Sequence, residues 1–329
     1  MLNDRPIRVG LIFKSDYNFF QASHFDKTTY DFFFKALPRN PEIKITFISV
    51  EGNEFDVTKL FNKIDIILLP NNYTSAVPEH LNGIHNSSIP VISRTGDPHW
   101  AEKLGLISFH EKWKIDSYFG AIPKSYFYKF YPREFKYKEI IFGLETSLYS
   151  NLKPFENRIK NRILNSGNVG KKTIISRVAN SIINPKRSAW YFYKLRTQCN
   201  YLKYVDHSSI QGRKYPNSNY PEYLSQYRGA IAATTYYPTQ KYWEIPAAGC
   251  LTFMEMTKIN DGSYLGFSDN KNAIFINEKN YKKKFESFLD DVDNPKWKEI
   301  AKLGREHAIN NLSNDKATES LVNLMKEFF

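Results

Sequence analysis

Short apolar runs alternate with segments of helical spacing along this chain of 329 residues. The runs are rich in Ile, Val, Leu and Phe, and the run IDIILLP at residues 64–70 is apolar enough to be buried on both faces. Strands that alternate with helices predict a parallel, doubly wound sheet. In the first half, strands are predicted at residues 7–13, 43–50, 64–70, 90–93, 116–121 and 139–143, and a helix at residues 28–37.

A polar connector at residues 145–161 interrupts this pattern, which then restarts. We therefore predict an α/β protein of two doubly wound, Rossmann-like domains that face each other across a cleft, with residues 1–155 in the first and residues 156–329 in the second. Such sheets bind ligands beyond the carboxyl ends of their strands. In the second half, strands are predicted at residues 163–166, 201–205, 230–234 and 251–254, and helices at residues 189–198, 220–227, 281–289, 296–311 and 317–328.

The most informative segment is KYWEIPAAGC at residues 241–250, which predicts a short helix, a turn of small residues and then an apolar strand. Glu244 lies among Ile, Pro and Ala, where an unpaired charge is costly. Its carboxylate therefore needs a hydroxyl or amide partner, and a ribose diol is one candidate. Gly249 permits the tight turn from helix to strand that brings backbone close to a ligand.

A glycine-containing loop, SGNVGKKT at residues 166–173, follows a predicted strand. A complete P-loop would have Gly in place of Asn165 and Ser or Thr in place of Lys172. The remaining loop can offer backbone N–H groups to a phosphate, and a plain turn between strand and helix is the alternative. The loop residues predicted to contact phosphate are Ser166, Gly167 and Asn168.

Two further motifs have an ordinary explanation beside a functional one. Arg187, before an aromatic helix, has the fork geometry that binds a pyrophosphate, but it also suits the solvated start of a helix. Asp291-Val-Asp293 resembles a D-x-D metal motif, but it follows an amphipathic helix and precedes Pro295, which favours a helix end. No other cluster of His, Cys or carboxylate residues in the sequence indicates a metal site.

In the first half, Gly96-Asp97-Pro98-His99 follows a predicted strand and should lie at the ligand edge of its sheet. Asp97 or His99 in this loop has a side chain that can take a proton from an acceptor hydroxyl, although Asp-Pro is also common turn chemistry. Residues 124–138, KSYFYKFYPREFKYK, interleave bases with aromatics. That pattern suits stacking on single-stranded nucleic acid, contact with a membrane surface, or an ordinary strand and loop with snorkelling lysines.

Composition narrows the functional classes. The net charge of +12 favours polyanionic partners, namely nucleic acid, anionic lipid or phosphorylated ligands, while a solvated lysine-rich surface explains it equally well. Cys199 and Cys250 form neither a metal-binding spacing nor a disulfide framework, which fits a reducing compartment. No signal peptide or apolar run of about 18 residues is present. We therefore expect a cytoplasmic protein.

Two common enzyme classes lack their signatures. No G-x-G-x-x-G motif follows the first predicted strand, which argues against an NAD-type dehydrogenase. No G-x-S-x-G elbow occurs, which argues against an α/β-hydrolase.

From Ala230 to its end, the chain resembles the spore-maturation CgeB type of glycosyltransferase-like protein, within the GT-B group. The order of several short motifs carries this resemblance, which is extensive in the second half and patchy in the first. The matching residues are Ile140–Tyr149, Ile163–Gly167, Arg187, Lys241-x-x-Glu244-x-x-Ala-Ala-Gly249, Leu265-Gly-Phe267 and Ile300-Ala-x-x-Gly304-x-x-x-Ala308.

The resemblance implies a glycosyltransferase whose second domain holds a nucleotide-sugar donor. Glu244 matches the carboxylate that binds the ribose, and Lys241 and Arg187 match positions that face the diphosphate. Retaining relatives often carry a second glutamate eight residues earlier, where this chain has Tyr236. The donor-binding residues implied are Glu244, Lys241, Arg187, Ser166, Gly167, Asn168, Tyr237 and Gly249.

The resulting expectation is a hexosyl-type transferase that needs no metal or other cofactor, with Asp97 as the base. We expect its acceptor to be a glycan or lipid-linked glycan of the cell surface, and its positive charge to allow peripheral contact with an anionic membrane. Two alternatives stay open: a sugar transferase that acts on nucleic acid, and a nucleotide-binding protein of this fold without catalytic activity.

Overall fold

The computed structural model describes residues 5–17, 32–170, 173–183, 188–208 and 219–329, and the side chain of Phe32 is not among them. The chain divides into two compact units. Unit 1 comprises Met1–Gly143 and Asn314–Phe329, and unit 2 comprises Leu144–Ser313. The boundary thus lies before residue 155, and the last helix belongs to unit 1, whereas the sequence placed it with residues 156–329.

Unit 1 is built on a parallel sheet of six strands in the order β2-β1-β4-β6-β7-β8. Full-length pairing of β1 with β2, from Ile7 opposite Ile43 onward, fixes the register at one edge. A separate parallel pair joins β3 and β5. The strands are β1 Ile7–Lys14, β2 Ile43–Val50, β3 Glu54–Asp56, β4 Ile66–Leu69, β5 His80–Asn82, β6 Val91–Arg94, β7 Ser117–Gly120 and β8 Tyr137–Glu139.

Short helices and the last helix of the chain cover this sheet. Leu321 and Met325 of that helix are fully buried in one core cluster with Phe33, Phe34 and the β1 side chain Leu11. Because this apolar stripe is buried against unit 1, the last helix belongs to unit 1. The helices are α1 Phe32–Ala36, α2 Ser108–Lys112, α3 Lys124–Phe127 and, at the end of the chain, α11 Asn314–Lys326.

The segment that interleaves bases with aromatics, residues 124–138, is part of the unit 1 core. The Phe127 ring stacks on Tyr131 and Tyr137, with centroids 4.5 and 4.1 Å away. The basic side chains, in contrast, are exposed. Five of the seven rings are therefore unavailable to stack on bases or to enter a membrane, and this packing favours the ordinary interpretation of the segment. Its buried aromatics are Tyr126, Phe127, Tyr131, Phe135 and Tyr137.

Unit 2 is built on a parallel sheet of five strands in the order β10-β9-β11-β12-β13. The connection from β9 to β10 runs towards one edge of the sheet, and the connections from β11 to β12 and from β12 to β13 run towards the other edge. Right-handed crossovers in opposite directions place their helices on opposite faces, so the switch point lies between β9 and β11. The strands are β9 Ile159–Ser166, β10 Val205–Ser208, β11 Tyr227–Ala232, β12 Leu251–Glu255 and β13 Ile274–Ile276.

The helices of unit 2 pack on both faces of its sheet, and α8 and α10 also pack on each other. The α10 helix starts at Pro295 after the N-cap Asn294, whose side chain accepts from the Lys296 amide. The helices are α4 Ile174–Ile183, α5 Ala189–Phe192, α6 Lys194–Cys199, α7 Tyr220–Leu224, α8 Lys241–Ala247, α9 Tyr281–Leu289 and α10 Pro295–Asn311. In the described part of the chain, no helix combines the length and apolar character needed to cross a membrane.

The α/β class and the parallel sheets are confirmed, and β2 and α9 have the predicted bounds. Two predicted strands were wrong. The strand expected at residues 139–143 ends at Glu139, and the one expected at 201–205 begins only at Val205. In each case a neighbouring parallel strand selects the paired residues, which apolar runs alone do not reveal.

The structure also shows what the Asp291-Val-Asp293 motif does. Asp293 bonds Lys160 at 2.6 Å and the buried Arg228 guanidinium at 2.8 Å. These bonds fasten the end of α9 to β9 and β11, so the helix-end interpretation is correct.

Candidate functional site

The loop that follows β9 lies at the switch point of unit 2. The Gly167 amide donates to the Ser208 carbonyl at 2.8 Å, and its own carbonyl lies 2.9 Å from Nε2 of His207. Gly167 has a φ of +108°, which strongly favours glycine. The loop is therefore held tightly against the end of β10, at the predicted ligand edge.

A buried guanidinium lies on one side of this loop. Arg196 of α6 is 1% exposed, and its Nη2 donates to the Ser166 carbonyl. Its Nε donates to Oδ1 of Asn165 at 3.2 Å, and the Asn165 amide donates back to the Arg196 carbonyl at 2.9 Å. Burial lowers the pKa of Arg196. These bonds fix the guanidinium in one orientation at the end of β9.

A buried ammonium lies on the other side. Lys241, in the first turn of α8, donates to the Tyr220 hydroxyl at 2.9 Å, and that hydroxyl donates to Oγ of Ser166 at 3.1 Å. The pKa of Lys241 is lowered to about 7, first by burial and then by the Arg196 charge, while the Glu244 carboxylate acts in the opposite direction.

The absence of a Cβ on Gly167 lets both cations approach the same point. A Cβ there would lie 2.5 Å from Cε of Lys241 and 2.7 Å from Nη2 of Arg196. Among the residues that the structure describes, no carboxylate lies within ion-pair distance of either cation. Two like charges held together out of water favour an anion as their missing partner.

Glu244 lies one turn after Lys241 on α8 and is 1% exposed. Burial, and then the Glu244 charge, raise the pKa of the Tyr220 hydroxyl and that of Tyr149 well above the usual value. Both tyrosines therefore stay protonated, and Tyr220 keeps the proton that it donates to Ser166. Glu244 thus belongs to the same electrostatic cluster as Lys241 and is as deeply buried as Arg196.

The remaining predicted donor residues are spread more widely. Tyr237 follows β11, is buried, and packs against Phe192 with ring centroids 5.1 Å apart. Asn168 is exposed beside Gly167. Arg187 lies outside the described residues.

Gly249 lies at the far end of α8, about 12 Å from Lys241 along the helix axis. Its φ of +69° ends the helix, and its carbonyl accepts from Arg158 at 2.8 Å. Gly249 therefore serves the turn into β12 and is not part of the Gly167 cluster.

Two groups of this edge were missed by sequence reasoning, Arg196 and Glu255. Glu255 ends β12 almost fully buried, and its Oε2 has no hydrogen-bond partner within the described ranges. Its pKa is raised to about 7, first by burial and then by the charge of Glu278, while Arg196 opposes the shift. The only sequence signal was a charged residue at a strand or helix position otherwise filled by apolar side chains, and this signal is weak without the fold.

The predicted base, Asp97, belongs to unit 1. It follows β6 and precedes a 3₁₀ turn at Pro98–Trp100, and its carboxylate does not cap that turn. Its amide donates to the Tyr73 hydroxyl at 2.9 Å. Its side chain is 48% exposed, and Oδ2 lies 3.8 Å from Nε2 of the buried His99. Asp97 is therefore a solvent-accessible carboxylate at the ligand edge of the unit 1 sheet, next to an imidazole.

Within the described ranges, no group of three or more His, Cys, Asp or Glu side chains is arranged to hold a metal ion. The positive charge at the unit 2 edge comes from Arg196 and Lys241.

The chain matches no protein-family model, and no curated protein sequence is similar enough to it to count as a match. Solved structures do resemble it. Sucrose-phosphate synthase from Thermosynechococcus elongatus superposes with a TM-score of 0.60 at 9% identity, over 98% of this chain and 99% of that one. Anabaena HepE, solved with UDP-glucose, gives 0.55 at 11% identity, over 98% of this chain and 100% of that one.

A third similar structure is an alpha-glucosyltransferase in complex with UDP-glucose and DNA containing an abasic site. It gives a TM-score of 0.56 at 12% identity, over 98% of this chain and 100% of that one. Together with the two parallel sheets, these likenesses show that the chain has the GT-B fold of glycosyltransferases. The narrower resemblance to the CgeB type stays a prediction.

The Gly167→Ala substitution tests whether the two cations form an anion site. We expect it to weaken the binding of inorganic pyrophosphate at least about tenfold, because the new methyl group must displace Lys241 or Arg196. Titration calorimetry measures the affinity. The matched control is Gly52→Ala, because Gly52 also has a positive φ of +78° but nothing lies within 4 Å of the added Cβ. Both variants should lose about 1 kcal/mol of stability. Equal pyrophosphate affinity in both would show that Gly167 does not shape an anion site.

Proposed function

We propose that this protein is a glycosyltransferase that transfers a hexosyl group from a nucleotide diphosphate sugar, without a required metal ion, to a glycan or lipid-linked glycan. The observation that carries the proposal is the pair of buried cations, Arg196 and Lys241, against Gly167 at the switch point of unit 2. A diphosphate is the part of such a donor that these charges suit.

The chemistry places the same demand on the site. During transfer, the bond between the sugar C1 and the β-phosphate oxygen breaks, and its electron pair leaves with the diphosphate. The acceptor hydroxyl oxygen forms the new bond to C1, and its proton passes to a base. Negative charge therefore grows on the diphosphate in the transition state, and fixed cations stabilise it without reorganisation. Arg196 and Lys241 supply that charge in our proposal.

The comparisons support the class of reaction. HepE and the alpha-glucosyltransferase were both solved with UDP-glucose, and both have the fold of this chain. We therefore take UDP-glucose as the first donor to test. The finer assignment of a glycan acceptor rests on the resemblance of the sequence to the CgeB type.

The main rival is a protein that binds a nucleotide without transferring a sugar. Tyr236 motivates it, because this half-buried side chain lies against Phe192, with ring centroids 5.9 Å apart, at the position where retaining relatives carry a glutamate. Release of glucose from UDP-glucose separates the two. Binding without any release, across a panel of nucleotide sugars and acceptors, would favour the rival.

Glu244→Gln tests the proposed ribose contact. We expect the variant to bind UDP more weakly by about 1–3 kcal/mol, the usual loss of a charged hydrogen bond, and to lose less affinity for inorganic pyrophosphate, for which only the support of the Lys241 charge is removed. Titration calorimetry with both ligands measures this. The control is Glu299→Gln, an exposed position on α10 that should change neither affinity.

The two ligands distinguish two roles of Glu244. If UDP and pyrophosphate weaken equally, Glu244 acts only by supporting the Lys241 charge, and the ribose assignment is wrong. If neither ligand binds the wild type, the proposed donor site is wrong.

Lys241 makes donor affinity depend on pH. Its pKa lies near 7 in the free protein, and a bound diphosphate favours the protonated form, so binding takes up a proton above that pH. We expect affinity for UDP-glucose to fall by up to about tenfold per pH unit above about pH 7. UDP-glucose is the suitable probe because its diphosphate is esterified at both ends and does not titrate in this range.

Two variants identify the group that makes the affinity for UDP-glucose fall with pH. Lys241→Met should remove this slope of affinity against pH. The pKa of Glu255 also lies near 7, and its ionisation places a negative charge near Arg196, so Glu255→Gln measures that contribution. A slope that survives in Lys241→Met and disappears in Glu255→Gln would overturn the assignment to Lys241.

Asp97→Asn tests the proposed base. We expect turnover to fall about 100-fold or more, with unchanged affinity for UDP-glucose, because the amide cannot accept the acceptor proton. Initial rates and calorimetry measure the two effects. The control is Glu111→Gln, at an exposed position on α2. Asp116→Asn is not suitable because the Asp116 carboxylate accepts from the Val91 amide. Normal turnover in Asp97→Asn would leave Asp97 with its turn role alone.

A further inference from the structure

The α4 helix of unit 2 has its apolar side chains on the outside. Its five large aliphatic residues are between 53% and 83% exposed, and no side chain of this ten-residue helix is buried. They recur at positions i, i+1, i+4, i+8 and i+9, so they form one continuous stripe along the helix. The stripe consists of Ile174, Ile175, Val178, Ile182 and Ile183.

The polar face of α4 is the face that contacts the protein. The Arg177 guanidinium lies 3.3 Å from the centre of the Trp190 ring, and Asn180 accepts from the Ala189 amide at 2.8 Å. Ser181 donates to Ser188 at 3.3 Å. The usual orientation of a surface helix, with its apolar face inward, is therefore reversed.

The reversed orientation is held by specific contacts. The hydrogen bonds from α4 reach the start of α5 and so fix the rotation of the helix about its axis. The Thr173 Oγ1 atom accepts from the Ser176 amide and caps the first turn. A stripe of this size that faces water marks a surface made for an apolar partner.

The charges near this helix indicate the chemistry of the partner. In the sequence, Lys171 and Lys172 precede α4, and Lys186 and Arg187 follow it, with no acidic residue between residues 157 and 205. The chain as a whole carries a net charge of +12. An apolar stripe on a basic chain, within a sequence stretch that lacks acidic residues, matches a surface that is apolar inside and anionic outside.

We propose that α4 lies in the interface of an anionic lipid bilayer, with its isoleucines among the acyl chains, and that the net positive charge of the chain favours the anionic lipids. A helix of ten residues spans about 15 Å, half of the hydrocarbon thickness, so it lies along the surface and does not cross it. This membrane contact does not depend on the sugar-transfer chemistry, and it differs from a contact through residues 124–138, where five of the seven aromatic rings are buried.

Vesicle sedimentation tests the proposal on the full chain. We expect the wild type to sediment with phosphatidylcholine vesicles that contain phosphatidylglycerol, and to bind vesicles of phosphatidylcholine alone at least about tenfold more weakly, with added salt weakening the anionic binding. The double variant Ile175→Asp, Ile182→Asp should bind the vesicles that contain phosphatidylglycerol at least about tenfold more weakly than the wild type does.

Leu104→Asp is the matched control, because Leu104 is also an exposed aliphatic residue but lies in unit 1. It should bind vesicles as the wild type does. Since Ile175 and Ile182 are exposed, the double variant should keep the wild-type circular dichroism and melting temperature. Vesicle binding that is unchanged in the double variant would overturn the proposal.

A fluorescent probe reports the location of the helix directly. Cys199 and Cys250 are buried, so an environment-sensitive dye on Ile182→Cys labels α4 selectively. We expect a blue shift and a gain of intensity when anionic vesicles are added. If light scattering instead shows a dimer that the double variant dissociates, and no vesicles bind, the stripe is covered by a second copy of the chain and the membrane proposal is wrong.

Discussion

Two buried positive charges that share one glycine define the edge of the unit 2 sheet. Arg196 and Lys241 are removed from water and repel each other, which is costly for the unliganded fold. The cost is reduced by the Ser166 carbonyl, the Tyr220 hydroxyl and the negative charge of Glu244. An anion between the cations would complete the arrangement. This fixed positive charge is what the proposed transfer reaction needs, because its leaving group gains negative charge.

The topology explains how two such charges come together. Arg196 is on a helix of the crossover from β9 to β10, and Lys241 begins the helix between β11 and β12. These crossovers run in opposite directions and place their helices on opposite faces of the sheet. Only at the switch point do side chains from the two faces meet across a strand end. Gly167, without a side chain and with a positive φ, is what allows them to meet there.

The reversed α4 helix belongs to the same unit but obeys a different constraint. Its polar side chains attach it to α5, and its isoleucines are exposed at the surface, where an apolar environment would cover them. A bilayer surface that is anionic would satisfy both that stripe and the net positive charge of the chain. In combination with the proposed donor site, such attachment would suit the proposed acceptor that is itself linked to lipid.

The sequence by itself determined the α/β class, most strands and the short helix that begins at Lys241, because apolar periodicity and small-residue turns are local signals. It also located the loop at Ser166 and Gly167. It did not reveal that Arg196 and Glu255 lie at the edge of the unit 2 sheet, because strand order determines which side chains meet there. It left a membrane surface open at residues 124–138, where tertiary packing buries five of the seven aromatic side chains. Which face of a helix points inward, and which charges share a strand end, are set by contacts between residues distant in sequence, and only the tertiary structure decides them.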